Sequence, residues 1–255
     1  MDGRAGCAGD AWTLRQMPHS TGRLLFHVKV CGVTSAADAR LAVAAGADAI
    51  GFNFVPGSPR EVAPVTVREA VATLPAGVLA VGVFAGMPVR EMLAIAEAAG
   101  LGAIQLHGHL DEAAAVHDPP SRCHELAGLP VIRAVRMEAG SLEPARRWLA
   151  AAAAAGRSPE MLIVDAGVTA ATAAGRLGGT GHLVDWEALA REESLGLPFA
   201  LAGGLAPGNV AAAIRATRCE AVDTASGVEA SPGRKDPALL RAFVAAAHDA
   251  FSRGG

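Results

Sequence analysis

From about Phe26 onward one pattern repeats along the chain. A short apolar run comes first, then a loop of Gly, Pro, Asp, Ser or Thr, then an Ala/Leu/Glu-rich stretch of helical character. The runs lack strict apolar–polar alternation, so each reads as a strand buried on both faces, as a parallel sheet requires. Strands are expected over residues 27–31, 49–54, 79–84, 103–106, 131–135, 162–165, 199–202 and 221–223. Helices are expected over 36–45, 67–74, 89–99, 111–117, 142–155, 186–193, 207–216 and 237–251. Alternating units joined by right-handed crossovers end as an open doubly wound sheet or as a closed barrel. Eight units favour a single α/β (β/α)8 barrel with eight parallel strands, and no G-x-G-x-x-G follows the first strand as a dinucleotide-binding open sheet would show.

Composition agrees with a single large core. Of 255 residues 51% are hydrophobic and 18% charged, which is too apolar for a disordered chain. Residues 1–25 mix Asp2, Arg4, Asp10, Arg15 and Arg23 without an apolar signal-peptide core, and read as a loosely ordered extension ahead of a barrel domain at 26–255. Residues 167–182, rich in Gly, Thr and Ala, read as a mobile loop. The net charge of −3, with no basic stripe, gives nucleic-acid binding nothing to rest on. Apolar stretches break well before the ~20 residues a membrane span needs. The four cysteines, Cys7, Cys31, Cys123 and Cys219, form no C-x-x-C pair and have no histidines at zinc spacing. Free thiols in a reducing cytoplasm and no metal site are therefore expected. The sequence carries no signal of oligomeric state.

In such a barrel the working residues sit at the C-terminal ends of the strands, where the following loops converge. The sequence places Cys31-Gly32 after strand 1, Ser58-Pro59-Arg60 in the loop after strand 2 and His107-Gly108 after strand 4. Arg136 ends strand 5, Asp165 strand 6, and Gly203-Gly204 follows strand 7. Asp223 lies on strand 8, ahead of Ser226-Gly227. Each residue has a plainer reading. A cysteine in a buried strand is usually an inert small hydrophobe, and an aspartate at a strand end often caps the next turn. His107 fits a packing role, Asp223 fits the orientation of loop amides, and Arg60 fits a surface residue. The two Gly-containing loops of the last two units carry more, since bare amides there hold phosphate in many barrels.

The ordered set of segments resembles the phosphoribosylanthranilate isomerase family. It comprises Val28-Lys29-Val30-Cys31-Gly32-Val33-Thr34, then Asp48-Ala49-Ile50-Gly51-Phe52-Asn53-Phe54, Ser58-Pro59-Arg60, Gln105-Leu106-His107-Gly108 and Gly178-Gly179-Thr180-Gly181. It continues with Leu201-Ala202-Gly203-Gly204-Leu205, then Ser226-Gly227-Val228-Glu229, and ends in Lys235-Asp236. The resemblance implies an Amadori rearrangement of a phosphorylated aminosugar in tryptophan biosynthesis. It makes Cys31 the general base, Asp165 the general acid and Arg60 the partner of the anthranilate carboxylate, with the Gly loops taking phosphate. His107 and Asp223 join the substrate-binding set. No metal or cofactor is implied, because the substrate's own nitrogen becomes the electron sink. Cys31 needs a lowered pKa for this work, with Lys29 on the same strand face to help, and Asp165 needs a raised one.

The sequence departs from the family pattern at His182-Leu183, where a lysine and a hydroxyl are usual, and at Ala225, where a serine is usual. Two other readings follow: a paralogous isomerase acting on a different phosphoribosylamine, or a barrel that only binds a sugar phosphate. An indole-glycerol-phosphate synthase-like lyase would want lysines and glutamates at strand ends, whereas Lys29 and Lys235 are the only lysines in the chain.

Overall fold

Short β-branched and alanine-rich strands, each capped by a tight turn, close on one another in chain order. The computed structural model describes residues 22–110, 116–138, 140–165 and 186–253. Eight parallel strands form a closed barrel in the order β1 to β8: Val28–Val30, Ala49–Asn53, Leu79–Phe84, Ala103–Leu106, Val131–Arg136, Met161–Asp165, Phe199–Ala202 and Ala221–Thr224. The ring is closed by β1 against β8, with Lys29 opposite Asp223 and Val30 opposite Thr224. The helices are α1 Ala36–Ala44, α2 Pro64–Val71, α3 Val89–Ala99, α4 Arg122–Glu125, α5 Glu143–Ala154, α6 Trp186–Arg191, α7 Val210–Thr217 and α8 Pro237–Arg253.

Side-chain parity separates two cores. One set (Val28, Val30, Ile50, Phe52, Ile104, Leu106, Leu162, Val164 and Leu201 among it) points outward and is buried beneath the helices. The alternate set (Ala49, Val81, Ala103, Ile132, Ala134, Met161, Ile163, Ala200, Ala202 and Ala221) fills the barrel itself. Small residues suit the narrow bore of an eight-stranded barrel. Leu24, Leu25 and Phe26 pack on this inner set and close the N-terminal end, so the chain is packed from just before β1. Strand side chains alternate, so the inner parity continues through Lys29 and Cys31, Gly51, Gln105 and His107, Arg136, Asp165 and Asp223. The same rule that fills the floor with alanine brings these groups to the C-terminal mouth.

The strands fall where the sequence places them, within a residue or two. The fourth helical unit differs. Residues 111–115 of the expected 111–117 helix lie outside the described residues, His117 pairs as an isolated bridge with His109, and the helix described in this unit is the single turn α4. Pro119 and Pro120 lie between that bridge and α4, and proline disfavours helix in the residue before it. The α7 helix begins at Val210 rather than Pro207, because Asn209 caps the preceding turn by accepting from the Ala206 amide. A further element was not expected, an antiparallel pair β9 Glu229–Ser231 and β10 Arg234–Lys235 turning at Gly233. The extension at 1–21 and the loop at 167–182 lie outside the described residues.

Candidate active site

Cys31 follows β1 directly, its amide donating to the Thr224 carbonyl at 2.8 Å, so its position is set by the β1–β8 seam. Lys29, fully buried one inward step below, donates to Asp223 Oδ1 at 3.0 Å. Burial works against the Lys29 charge, but Asp223 and Cys31 outweigh it and hold the ammonium above its usual range. Gly51 on β2 makes room for this group, because a Cβ there would lie 2.8 Å from Cys31 Sγ and 3.0 Å from Lys29 Nζ. The expected lowering of the Cys31 pKa is not found. Burial pushes the thiol up, and the opposing pull of Lys29 does not overcome it.

Asp165 ends β6 and stands across the barrel from Cys31, since β6 neighbours β5 and β7 whereas β1 neighbours β8 and β2. Both side chains are partly exposed, neither being sealed in the core. Burial raises the Asp165 carboxyl above its ordinary range, with Arg136 pulling the other way and Asp223 adding to the rise. That is the direction a proton donor needs. Arg136 Nη2 lies 3.8 Å from Asp165 Oδ2.

Arg60 reaches the mouth by lying over Gly32, where a Cβ would be 2.3 Å from the Arg60 Cδ. Its Nε and Nη2 make a two-pronged pair with Glu229 at 2.9 and 2.7 Å, the fork geometry that arginine favours. Glu229 also accepts from Lys235 Nζ at 2.8 Å, and Lys235 donates to the carbonyls of Cys31 at 2.6 Å and Ala225 at 3.1 Å. The β9–β10 hairpin thus ties the loops after β1, β2 and β8 together.

His107 lines an opening shared with Gly108, His109, Leu110, Arg136, Glu138 and Asp165. Burial, with Arg133 and Lys29 nearby, holds its imidazole down to about 4, so it is neutral near pH 7. Its Nδ1 meets Gln105 Nε2 at 3.4 Å. Below it the loop after β4 is fixed by ions that point away from the mouth. Asp118, fully buried, accepts from the Gly86 and Gly108 amides and pairs with Arg122 and Arg133. Arg133 donates to the Leu106, Gly108 and His109 carbonyls and stacks 4.7 Å from the Trp148 ring centre.

The phosphate-type loops converge on the opposite side. Gly203 and Gly204 both adopt positive φ, at 94° and 64°, and their amides have no protein acceptor among the described residues. Asn209 Nδ2 donates to the Gly204 carbonyl, which turns that peptide at the start of α7. Gly227, in a 3₁₀ turn Ser226–Val228, lies so close that a Cβ would sit 1.9 Å from the Leu205 carbonyl oxygen. The same oxygen accepts from Thr224 Oγ1 at 2.8 Å, which joins the two loops.

Cys31, Arg60, His107, Asp165, Gly203, Gly204, Ser226 and Gly227 thus gather around one mouth, whereas Asp223 sits beneath it as the partner of Lys29. His182 and Leu183 lie outside the described residues. Sequence reasoning did not link Glu229 or Lys235 to the site, or find the Asp118–Arg133 brace. The available signal for Glu229 and Lys235 was their place in the matching segments Ser226-Gly227-Val228-Glu229 and Lys235-Asp236. Among the described residues no cluster of His, Cys, Asp or Glu could hold a metal ion, and no helix is long and apolar enough to cross a membrane.

Residues 28–246 match the family model described as N-(5'phosphoribosyl)anthranilate (PRA) isomerase. An N-(5'-phosphoribosyl)anthranilate isomerase of Magnetococcus marinus is 40% identical over 229 residues, 89% of this chain and 98% of its own. One of Rubrobacter xylanophilus is 42% identical over 221 residues, covering 86% and 98%. The crystal structure of phosphoribosyl anthranilate isomerase from Thermotoga maritima superposes with a TM-score of 0.72 at 33% identity, over 88% of this chain and 99% of that one. A second similar structure, a phosphoribosyl anthranilate isomerase in complex with reduced 1-(o-carboxyphenylamino)-1-deoxyribulose 5-phosphate, has a TM-score of 0.68 at 31% identity, covering 88% and 99%.

Proposed function

Because the chain belongs to the N-(5'-phosphoribosyl)anthranilate isomerase family, we propose that Cys31 and Asp165 are the proton-transfer pair of its Amadori rearrangement. The protein is an isomerase of tryptophan biosynthesis, converting N-(5'-phosphoribosyl)anthranilate to 1-(2-carboxyphenylamino)-1-deoxyribulose 5-phosphate. The observation that carries the residue assignment is the pair itself, a thiol and a carboxyl at the ends of β1 and β6, facing across one open mouth.

Asp165 gives its proton to the furanose ring oxygen as the C1′–O bond breaks. The anthranilate nitrogen supplies its lone pair and becomes an iminium. Cys31, as thiolate, then takes the proton on C2′, and those electrons form the C1′–C2′ double bond and neutralise the nitrogen. The resulting enolamine tautomerises to the ketose. One proton is given and one taken, so the pair returns in exchanged protonation. Arg60 receives the anthranilate carboxylate through the nitrogen that Glu229 leaves available. Gly203, Gly204, Ser226 and Gly227 receive the phosphate, a role supported by the Gly203 and Gly204 amides beside the α7 start, which have no protein acceptor among the described residues. Ala225 lacks the serine hydroxyl usual there, so phosphate binding falls more heavily on backbone. His107 bounds the site as a neutral ring, and Asp223 keeps Lys29 charged beneath Cys31. A cytoplasmic location fits an enzyme whose described cysteines are all free.

The test is turnover of freshly generated phosphoribosylanthranilate, followed by its fluorescence decay. Cys31→Ala and Asp165→Asn should each lower kcat by roughly 10²–10⁴-fold. Product affinity should hold in both. Full turnover in either variant would remove that residue from the chemistry, and an inert wild-type protein that still binds product would make this a binding barrel.

A further inference from the structure

The positive groups around the mouth differ in how far they are committed. Lys29 is spent on Asp223, Lys235 on three oxygens, and Arg60 on both oxygens of Glu229. Arg136 is different. Among the described residues its guanidinium makes no hydrogen bond, and its one ionic contact is the 3.8 Å approach to Asp165 Oδ2. At that separation the charges attract but no directional bond holds the carboxylate. The Arg136 side chain is 36% exposed, against 16% for Arg60, and lines the same opening as Asp165 and His107.

Position says what this cation faces. A phosphate held over β7 and β8 directs the rest of its ligand across the mouth toward β2–β5. Arg136 enters that side from the end of β5, whereas Arg60 rises from the loop after β2 and lies over Gly32 beside Glu229. An N-aryl ring carrying an ortho carboxylate would bring its charge to a mouth bounded by two guanidinium groups, Arg60 held by Glu229 and Arg136 without a hydrogen bond among the described residues.

Resting on the acid role proposed for Asp165, we propose that Arg136 exchanges partners during the reaction. In the empty enzyme it balances the Asp165 carboxylate. On binding it turns to the aryl carboxylate of the substrate, alongside Arg60, which leaves Asp165 free to carry the proton it delivers. Arg136 is thus a positioning residue for the acid and a specificity residue for the carboxylated ring.

The charged and titratable groups facing Asp165 among the described residues are Arg136 on β5, Asp223 on β8, His107 and His109 beyond β4, and Glu138 beyond β5. Of these Arg136 is the only one that lowers its proton affinity, and Asp223 raises it. A carboxyl ordinarily loses its proton well before a thiol. The acid limb of kcat/KM then reports Asp165 and the alkaline limb reports Cys31. Without the cation Asp165 keeps its proton to higher pH, so the acid limb must move upward.

Arg136→Gln, Arg136→Lys and wild type should be compared on phosphoribosylanthranilate and on the N-phenyl analogue that lacks the carboxylate. Arg136→Gln is expected to raise KM for the carboxylated substrate roughly tenfold to a hundredfold, the size of a lost charge-assisted hydrogen bond. Its KM for the analogue should stay at the wild-type value, and its acid limb should move to higher pH. Arg136→Lys should restore the limb, with KM falling between the other two. An equal KM change on both substrates, an unmoved limb, or kinetics indistinguishable from wild type would each overturn the proposal. Should the Gln variant fail to fold, Arg136→Lys decides, since a wild-type KM ratio between the two substrates refutes the fork contact. Asp165→Asn separates the two levels. If it still turns over, the acid assignment has failed, whereas an inactive Asp165→Asn with a wild-type-like Arg136→Gln condemns Arg136 alone.

Discussion

Gly51→Ala should disable the enzyme while leaving it folded. Gly51 faces inward on β2, and a methyl group there would sit 2.8 Å from Cys31 Sγ and 3.0 Å from both Lys29 Cε and Lys29 Nζ. Comfortable contacts between heavy atoms need about 3.5–4.0 Å, so one or both side chains must retreat by roughly 0.5–1 Å. The backbone cannot absorb this, because β1 is paired on both edges, with β2 and β8. Lys29 is further held by Asp223, so the motion falls on the sulfur. A displacement of about 1 Å at a reacting atom can remove around 10²-fold in rate, close to 2.7 kcal/mol of barrier. Overpacking costs about 1–3 kcal/mol of stability, and the stiffer unfolded chain returns about 0.4–1 kcal/mol. The net loss of about 1–2 kcal/mol should lower Tm by only a few degrees, about 2–8 °C. Fluorescence decay of the substrate gives kcat and KM, and a calorimetric melt gives the stability. A folded Gly51→Ala protein with kcat within about threefold of wild type would refute the reasoning, since threefold is well under 1.4 kcal/mol of barrier.

Three other outcomes are expected. Asp118→Ala strands Arg133 in the core and should cost about 3–5 kcal/mol by urea unfolding, and a loss below about 1 kcal/mol would show that the brace is not coupled to stability. Glu229→Gln should loosen Arg60 and raise KM, and should lower Tm as well, because the buried Lys235 ammonium loses its carboxylate partner. An unchanged KM would separate Arg60 from substrate binding. His107 is held down to about 4 from an ordinary 6.5, so the unfolded chain binds the extra proton first as pH falls. Its contribution is full above the unfolded value and is lost through that window, which amounts to about 1–2 kcal/mol between pH 7 and pH 5. Stability measured at both pH values in His107→Gln should lack that part of the slope.

The parts legible in the sequence were those that local rules decide. A strand that must be apolar on both faces announces itself, and its last inward residue is fixed by parity, so Cys31, Asp165 and Asp223 could be placed without any long-range knowledge. Partners were not legible. Arg60 and Glu229 are 169 residues apart, and Lys235 and Cys31 are 204 apart. The Lys29–Cys31 spacing did predict an electrostatic contact and its sign, yet the net shift of the thiol runs the other way, because burial outweighs one neighbouring ammonium. The single turn α4, Arg122–Glu125, falls outside the expected helices because four residues carry no helical period.

Four glycines of the matching segments share a physical reason that their letters alone do not disclose. Gly51 leaves space for Cys31 and Lys29, Gly32 for the stem of Arg60, Gly108 for the Asp118 carboxylate at 2.6 Å, and Gly227 for the Leu205 carbonyl. Each missing methyl lies against a group that binds, transfers a proton or braces a loop that does. An eight-stranded bore is too narrow to hold a layer of lysine, arginine and carboxylate side chains if every opposing position also carries a Cβ. Charge at the mouth and glycine beside it are therefore one requirement. A substitution at Gly32, Gly51, Gly108 or Gly227 should impair catalysis in proportion to the group it displaces, and stability only in so far as that group is also a brace.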